Sequence, residues 1–525
     1  MTFDHFTNRR RVVKAGVVAG SLFLPAPYAW VWAQSEGALK LLQLPKVALV
    51  IGNAKYVDAP LRNPGNDAKG IAGELQKVGF QVSLKLDAGR SDMIEAIRAF
   101  GAELAKKKGV GMFYYAGHGA QLAWKNYLIP VDAVIEKIED MQAKTVELNS
   151  LLDGLIKAQN PMNVIILDAC RDNPFGAKVR SQQKGLSQFD APPGSLLAYA
   201  TSPGNTAADG EGANGLYTEN LLREIKVPEA RIEDVFKRVR LAVRRKTEGQ
   251  QITWESTSLE EDFWFIPPRE IKRLSEEEAE RLFKEELALW ERIKVSKDPA
   301  PLEDYLRRYP SGKFTELAQL QLERALAAQG EKKIQIASSA GNPYTKGSAM
   351  ANTAYRVGDS YTYRILDLGT RAEKRQGTAT VSGITEDGVI FSNGMVTDLL
   401  GNTLKAADGR RFTPRQQLPL EYAVGRQWHS RFVATTFKGN DEGIADIDFK
   451  IVGRERITVP AGTFDAFVID AAGTTVFKNF TAESRSKRWM APDQVRRGIA
   501  FEETLTVGTR TVIAEREELV SFKQS

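Results

Sequence analysis

The sequence predicts an α/β fold: three layers around a mostly parallel sheet, followed by a short helical segment and a C-terminal, mainly antiparallel β domain. Three observations predict it. Between residues 46 and 246 short apolar runs alternate with stretches of helical periodicity. Those runs are apolar at nearly every position, as strands buried on both faces must be when helices cover both sides of a parallel sheet. Beyond Pro267-Pro268 the pattern changes, first to Glu/Lys/Leu/Ala-rich helix and then to apolar–polar alternation between turn signals.

The elements follow in order. Residues 47–51 are a β-branched apolar run that stops at Gly52-Asn53, and Ile71, Leu75 and Val78 mark a helix from Asn66-Asp67 to Gly79. Residues 80–86 read as a second strand. Ser91 caps a helix through Lys107 with Ile94, Ile97 and Leu104 on one face, and residues 110–115 form a third strand. Residues 148–158 are helical, 163–167 and 195–200 are strands, and 216–225 and 232–245 are helices. Further on, Leu282, Phe283, Leu287 and Trp290 recur at helical spacing, and Asp298-Pro299 and Pro310-Ser311-Gly312 divide the region into two or three helices. Residues 334–353 are small and polar, as a linker is. From Tyr355 to Phe522 alternation is punctuated by Glu386-Asp387-Gly388, Asn393-Gly394, Ala407-Asp408-Gly409 and Pro460-Ala461-Gly462. The predicted bounds are 45–266 for the α/β domain, 270–330 for the helical segment, 331–353 for the linker and 354–525 for the β-rich domain, whose role the sequence does not name.

At 525 residues the chain is too long for one core. Its formal charge of +6 is small for that length, and Arg9, Arg10, Arg11 and Lys14 against Asp4 supply half of it. With no basic run interleaved with aromatics there is no electrostatic case for nucleic-acid binding. The single cysteine, Cys170, excludes an intramolecular disulfide, and His5, His118 and His429 lie too far apart in sequence for a Cys/His zinc cluster.

Residues 1–33 have the order of an export signal: a basic Asn8-Arg9-Arg10-Arg11 start, an apolar stretch to Leu24, two prolines and small residues before Gln34. The apolar run is shorter than the roughly 18 residues that span a bilayer, so no stable membrane span is expected in the mature chain. The adjacent arginines, two apolar residues and a lysine resemble a twin-arginine signal, which implies periplasmic localisation.

In open α/β sheets the site lies beyond the carboxyl ends of the strands. The third strand runs into Ala116-Gly117-His118-Gly119, and the strand at 163–167 runs into Asp168-Ala169-Cys170. Taken singly, a Cys after an apolar strand reads as a small buried hydrophobe and a lone His as structural. Taken together at one sheet edge, they are an imidazole base beside a thiol that needs one. The glycines around His118 let a substrate backbone approach, and the Gly119 and Cys170 amides are placed to face a developing oxyanion.

These residues carry a resemblance. Ala48-Leu49-Val50-Ile51-Gly52-Asn53, Asn66-Asp67-Ala68, Tyr115-Ala116-Gly117-His118-Gly119, Asp168-Ala169-Cys170-Arg171, Ala198-Tyr199-Ala200-Thr201-Ser202-Pro203-Gly204 and Asn214-Gly215-Leu216-Tyr217-Thr218 together resemble the caspase-like cysteine peptidases, in particular their bacterial metacaspase type. The resemblance implies His118 as general base, Cys170 as nucleophile, Gly119 and Cys170 as oxyanion hole, and Asp67 and Asp168 as an acidic pocket for Arg or Lys. A carboxylate suits a guanidinium and repels Asp. Asp67 also fits as a helix N-terminal residue satisfying free amides, and Asp168 as a strand-end turn residue. Ala116 stands where some metacaspases have Ser.

The expectation is a cysteine endopeptidase that cleaves protein or peptide substrates after Arg or Lys, with no cofactor; calcium activation, known in relatives, has no readable site. Residues 176–193, with Lys178, Arg180 and Lys184, are a candidate self-processing loop. The alternative is a catalytically silent scaffold whose β domain binds a partner.

Overall fold

The computed structural model describes residues 37–170, 185–203, 205, 212–268, 275–331, 341–436 and 441–525, with Cys170 described by its backbone. The N-terminal half alternates β1 (Lys46–Gly52), α1 (Pro64–Lys77), β2 (Gln81–Leu86), α2 (Arg90–Lys107) and β3 (Val110–Leu122). There follow β4 (Lys125–Leu128), α3 (Ile138–Lys144), β5 (Val146–Glu147), α4 (Leu148–Ala158) and β6 (Met162–Cys170). The unit closes with β7 (Ser195–Tyr199), α5 (Leu216–Glu224), α6 (Ile232–Lys246) and β8 (Trp254–Thr257).

The central sheet has the order β2-β1-β3-β6-β7-β8, parallel throughout except for β8, which runs antiparallel to β7. Alternate residues of β1, β3 and β6 point to opposite faces, and both faces are buried. Val50, Met112 and Ile166 meet Ile71 and Leu75 of α1, Leu221 of α5 and Val235 and Val239 of α6. Leu49, Phe113 and Ile165 meet Met93, Ile97 and Leu104 of α2 and Leu151 and Leu155 of α4. Pro64 opens α1, where its fixed φ and missing N–H cost nothing.

Strand β3 is longer than the sequence suggests. It passes through Ala116 to Gly119 and turns back as a hairpin with β4. The turn residues Ala123 and Trp124 both have positive φ, 49° and 68°, the pattern of a two-residue type I′ turn. His118 therefore lies inside a strand, at the point where the parallel sheet gives way to the hairpin.

Three further helices, α7 (Glu276–Ile293), α8 (Pro299–Arg308) and α9 (Thr315–Ala328), lead to an antiparallel sheet of 11 strands. Ser275 and Glu278 form a capping box at the start of α7, and Asp298 caps α8. Helices and sheet share one core, in which Phe283, Trp290, Tyr305 and Phe314 pack towards Val468, Trp489 and Leu519. The halves are tied by ion pairs: Arg240 of α6 reaches Glu255 of β8 and, 3.8 Å away, Glu421, while Arg244 pairs with Glu331 at 3.0 Å.

Candidate active site

The parallel register of β3 and β6 sets the site. Ala116 pairs with Asp168, Gly117 with Ala169 and His118 with Cys170, the last pair of the ladder. Two strands of different sequence thus deliver an imidazole and a thiol residue to the same level of the sheet edge.

The His118 ring is buried, and its Nε2 lies 2.7 Å from the Ala59 carbonyl. A carbonyl only accepts, so Nε2 carries the proton and, in the neutral ring, the lone pair is on Nδ1. Tyr56 fixes the backbone: its hydroxyl accepts the His118 N–H at 2.9 Å and donates to the Ile129 carbonyl at 3.1 Å. Its ring also packs on the imidazole, with centroids 4.4 Å apart. Tyr115 donates to the His118 carbonyl at 2.7 Å. The two phenols leave no room at residue 117, where a Cβ would come within 2.5 Å of the Tyr56 hydroxyl and 2.8 Å of the Tyr115 hydroxyl. Only glycine fits.

Gly119 begins the hairpin. Ile129 N–H donates to the His118 carbonyl, so the alternation of an antiparallel ladder makes Gly119–Leu128 the non-hydrogen-bonded pair. The Gly119 N–H consequently turns away from β4. Its missing side chain is filled from outside: a Cβ there would meet Ala169 Cβ at 3.0 Å and Leu186 Cδ2 at 3.1 Å.

Asp67 and Asp168 converge on the N-terminal end of α5. Asp67, on α1, accepts from Asn214 Nδ2 and from the Gly215 N–H, each at 2.9 Å. Asp168 accepts from Thr218 Oγ1 at 2.6 Å and from the Tyr114 hydroxyl at 3.3 Å. Tyr114 and Thr218 are themselves 2.6 Å apart. Burial, and then the negative charge of Asp168 and Asp67, hold the Tyr114 phenol well above its usual range, so it stays a neutral donor.

The sequence reading missed Tyr56, Ala59, Tyr114, Asn214 and Thr218 as parts of the site. Asn214 and Thr218 stood within a quoted motif with no role, and Ala59 acts through its backbone, which leaves no mark in sequence. His429 is remote, on the strand Gln427–Thr435, with Nδ1 2.8 Å from Asp448 and Nε2 3.1 Å from Asp446. The expected export signal at 1–33, and Lys178, Arg180 and Lys184 of the candidate self-processing loop, lie outside the described residues. Among the described residues a cavity of about 2370 Å³ lies between α6, β8 and the C-terminal sheet, and neither His118 nor the two aspartates line it. Side-chain chemistry, not cavity size, locates the site.

An α/β unit that brings a His and a Cys to paired positions of one parallel ladder has the layout of a cysteine peptidase. The comparisons narrow this: residues 45–264 match the caspase domain family, and that segment is a caspase-like domain. Over 128 residues the chain is 33% identical to mucosa-associated lymphoid tissue lymphoma translocation protein 1 of Homo sapiens and to its Mus musculus homologue. The matched stretch covers 24% of this chain and 15% of those relatives' length. The crystal structure of the Drosophila initiator caspase Dronc aligns with a TM-score of 0.32 and 13% identity, over 42% of this chain and 83% of that one. Residues 423–495 match a DUF3108-like family.

Proposed function

We propose that this chain is an exported, periplasmic cysteine endopeptidase that hydrolyses peptide bonds after Arg or Lys. The observation that supports it best is the pairing of His118 with Cys170 at the end of one ladder, with the His118 Nε2 proton held by Ala59. Nδ1 then takes the Cys170 proton, and the thiolate attacks the scissile carbonyl. The Gly119 and Cys170 amides receive the negative charge on the carbonyl oxygen. As the tetrahedral species collapses to a thioester, the carbon–nitrogen bond breaks and the imidazolium gives its proton to the leaving amine. Water, deprotonated by His118, then attacks the thioester, releasing the acid and restoring the thiol.

Specificity for a cationic side chain rests on Asp67 and Asp168. Both carboxyls lie at the N-terminal end of α5, and a carboxylate suits a guanidinium or ammonium.

Peptides ending in Arg, Lys or Asp before a fluorogenic amide, given to residues 34–525 and to its Cys170→Ala variant with and without calcium, test the proposal. Release after Arg or Lys that vanishes in the variant is expected. Release after Asp would overturn the pocket, and silence from folded protein on all three would favour the scaffold reading.

A further inference from the structure

The route from β6 to β7 ends in residues 185–193, and the part nearest the site is clamped from both sides. On one side the side chain of Asn126, on β4, grips the Ser187 backbone twice, donating to its carbonyl at 2.9 Å and accepting its N–H at 2.7 Å. Leu186, 1% exposed, fills the space over Gly119 that a Cβ would take.

On the other side the clamp comes from outside the caspase-like domain. Residues 341–347 fall within the stretch whose composition predicts a linker, yet they are docked. Asn342 donates to the Gln188 carbonyl at 2.7 Å. Asp190 accepts from Thr345 Oγ1 and from the Lys346 N–H, both at 2.6 Å, and donates its own N–H to the Tyr344 carbonyl at 3.1 Å. Phe189 and Tyr344 stack with centroids 4.9 Å apart. The far end of this strap is anchored in the C-terminal sheet, where Arg454 donates to the Lys346 carbonyl at 3.1 Å.

We propose that the strap formed by Asn342, Tyr344, Thr345 and Lys346 is a positioning element of the peptidase, holding Leu186 against Gly119 so that the β3 backbone keeps His118 in register with Cys170. This rests on the proposed function for its catalytic consequence, but not for its structural one. A misplacement of about 1 Å at a catalytic group can cost roughly a hundredfold in rate, and the buried Leu186 and Phe189 are held in place by the polar contacts on either side of them. The C-terminal half is then a working part of the enzyme. Asp67 and Asp168 take hydrogen bonds from Asn214, Gly215 and Thr218, at the start of α5, so the strap acts on turnover and not on recognition.

The test uses the full mature chain with Asn342→Ala, Thr345→Val and Leu186→Ala. Hydrogen–deuterium exchange is expected to rise in residues 185–190 and at Gly119 in Asn342→Ala, with β1 and the C-terminal sheet unchanged. On an Arg peptide amide, kcat is expected to fall roughly tenfold or more with KM within about twofold, because only transition-state contacts are disturbed. Thr345→Val, which removes a single hydroxyl, should show the same signature more weakly. Asn342→Ala combined with Leu186→Ala should be no worse than the poorer single variant, since both act through one contact. Unchanged exchange in 185–190, additive losses, or a KM effect alone would each overturn the proposal. If the wild-type chain cleaves no Arg or Lys peptide, the proposed activity fails, and the exchange data still decide whether the strap holds Gly119.

Discussion

His118 and Cys170 are register partners, the last residues joined by the parallel β3–β6 ladder. The pairing arises from two sequences that share no local signal: one strand runs through Ala-Gly-His-Gly into a hairpin, the other stops its apolar run at Asp168. The sheet, not either strand, makes them neighbours. If His118 is the base, His118→Ala should lower kcat/KM on an Arg peptide by roughly 10²- to 10⁴-fold. The same variant should slow alkylation of Cys170 by iodoacetamide at pH 7, read by mass spectrometry. Unchanged alkylation and turnover would remove His118 from the mechanism.

Tyr56 acts one step back. Its hydroxyl bridges the His118 N–H and the Ile129 carbonyl, both buried. Tyr56→Phe removes the acceptor of the buried His118 N–H, a cost of about 1–3 kcal/mol, while the Ile129 carbonyl keeps its bonds from Tyr115 and Asn53. The expected outcome is a lower Tm with a fall in kcat and little change in KM, since the substrate pocket is untouched. Gly117→Ala should be worse, because its Cβ would sit 2.5 Å from the Tyr56 hydroxyl. A variant with wild-type kcat in either case would show that the His118 backbone needs no such support.

The aspartates predict the opposite kinetic pattern. Asp67→Asn or Asp168→Asn leaves a bound guanidinium facing an amide, and truncating one partner of a desolvated charge pair costs about 2–5 kcal/mol. The loss should appear in KM and kcat/KM for Arg and Lys peptides. Thr218→Val, which removes the 2.6 Å donor to Asp168, should give a smaller loss of the same kind. Equal activity of Asp168→Asn on Arg peptides would reassign that residue to a turn.

Much of this was legible in the sequence, and the exceptions have physical causes. The helix at 148–158 has the bounds the sequence predicts because its apolar residues keep helical spacing; in the structure Gln159 ends it in a left-handed conformation. Strand β3 was read only to Tyr115, since Ala116 to Gly119 carry no apolar run. The structure nonetheless continues the strand, because Ala116 to His118 pair with β6 and Gly119 to Leu122 with β4 through backbone and not side chains. Four-residue β8 was missed: its residues alternate buried and half-buried, and too few of them exist to establish a period. At the site, the titratable and nucleophilic residues were visible as types, but what holds them was not. Ala59 contributes a carbonyl, and the strap residues Asn342 and Thr345 look like any polar linker until their partners at Gln188 and Asp190 are known.

The C-terminal sheet carries a pH-dependent element of its own. Asp398 is 4% exposed, and burial pushes its carboxyl up to about 7, against the pull of hydrogen bonds from the Asn402 side chain at 2.8 Å and backbone at 2.9 Å. In the unfolded chain the same group titrates near about 4. Between those values the folded state binds the additional proton, so this group's contribution to stability is fully present below about pH 4 and is lost as the pH rises towards 7, by up to roughly 4 kcal/mol. Carboxylates held low by their partners, such as Asp367, Asp446 and Glu518, act in the opposite sense. The informative quantity is therefore the difference between wild type and Asp398→Asn. Urea midpoints at pH 4, 5.5 and 7.5 should show the wild type losing stability relative to the variant as pH rises. A difference that is flat, or that grows in the wild type's favour, would mean that Asp398 is ionised throughout and that its charge is balanced within the fold.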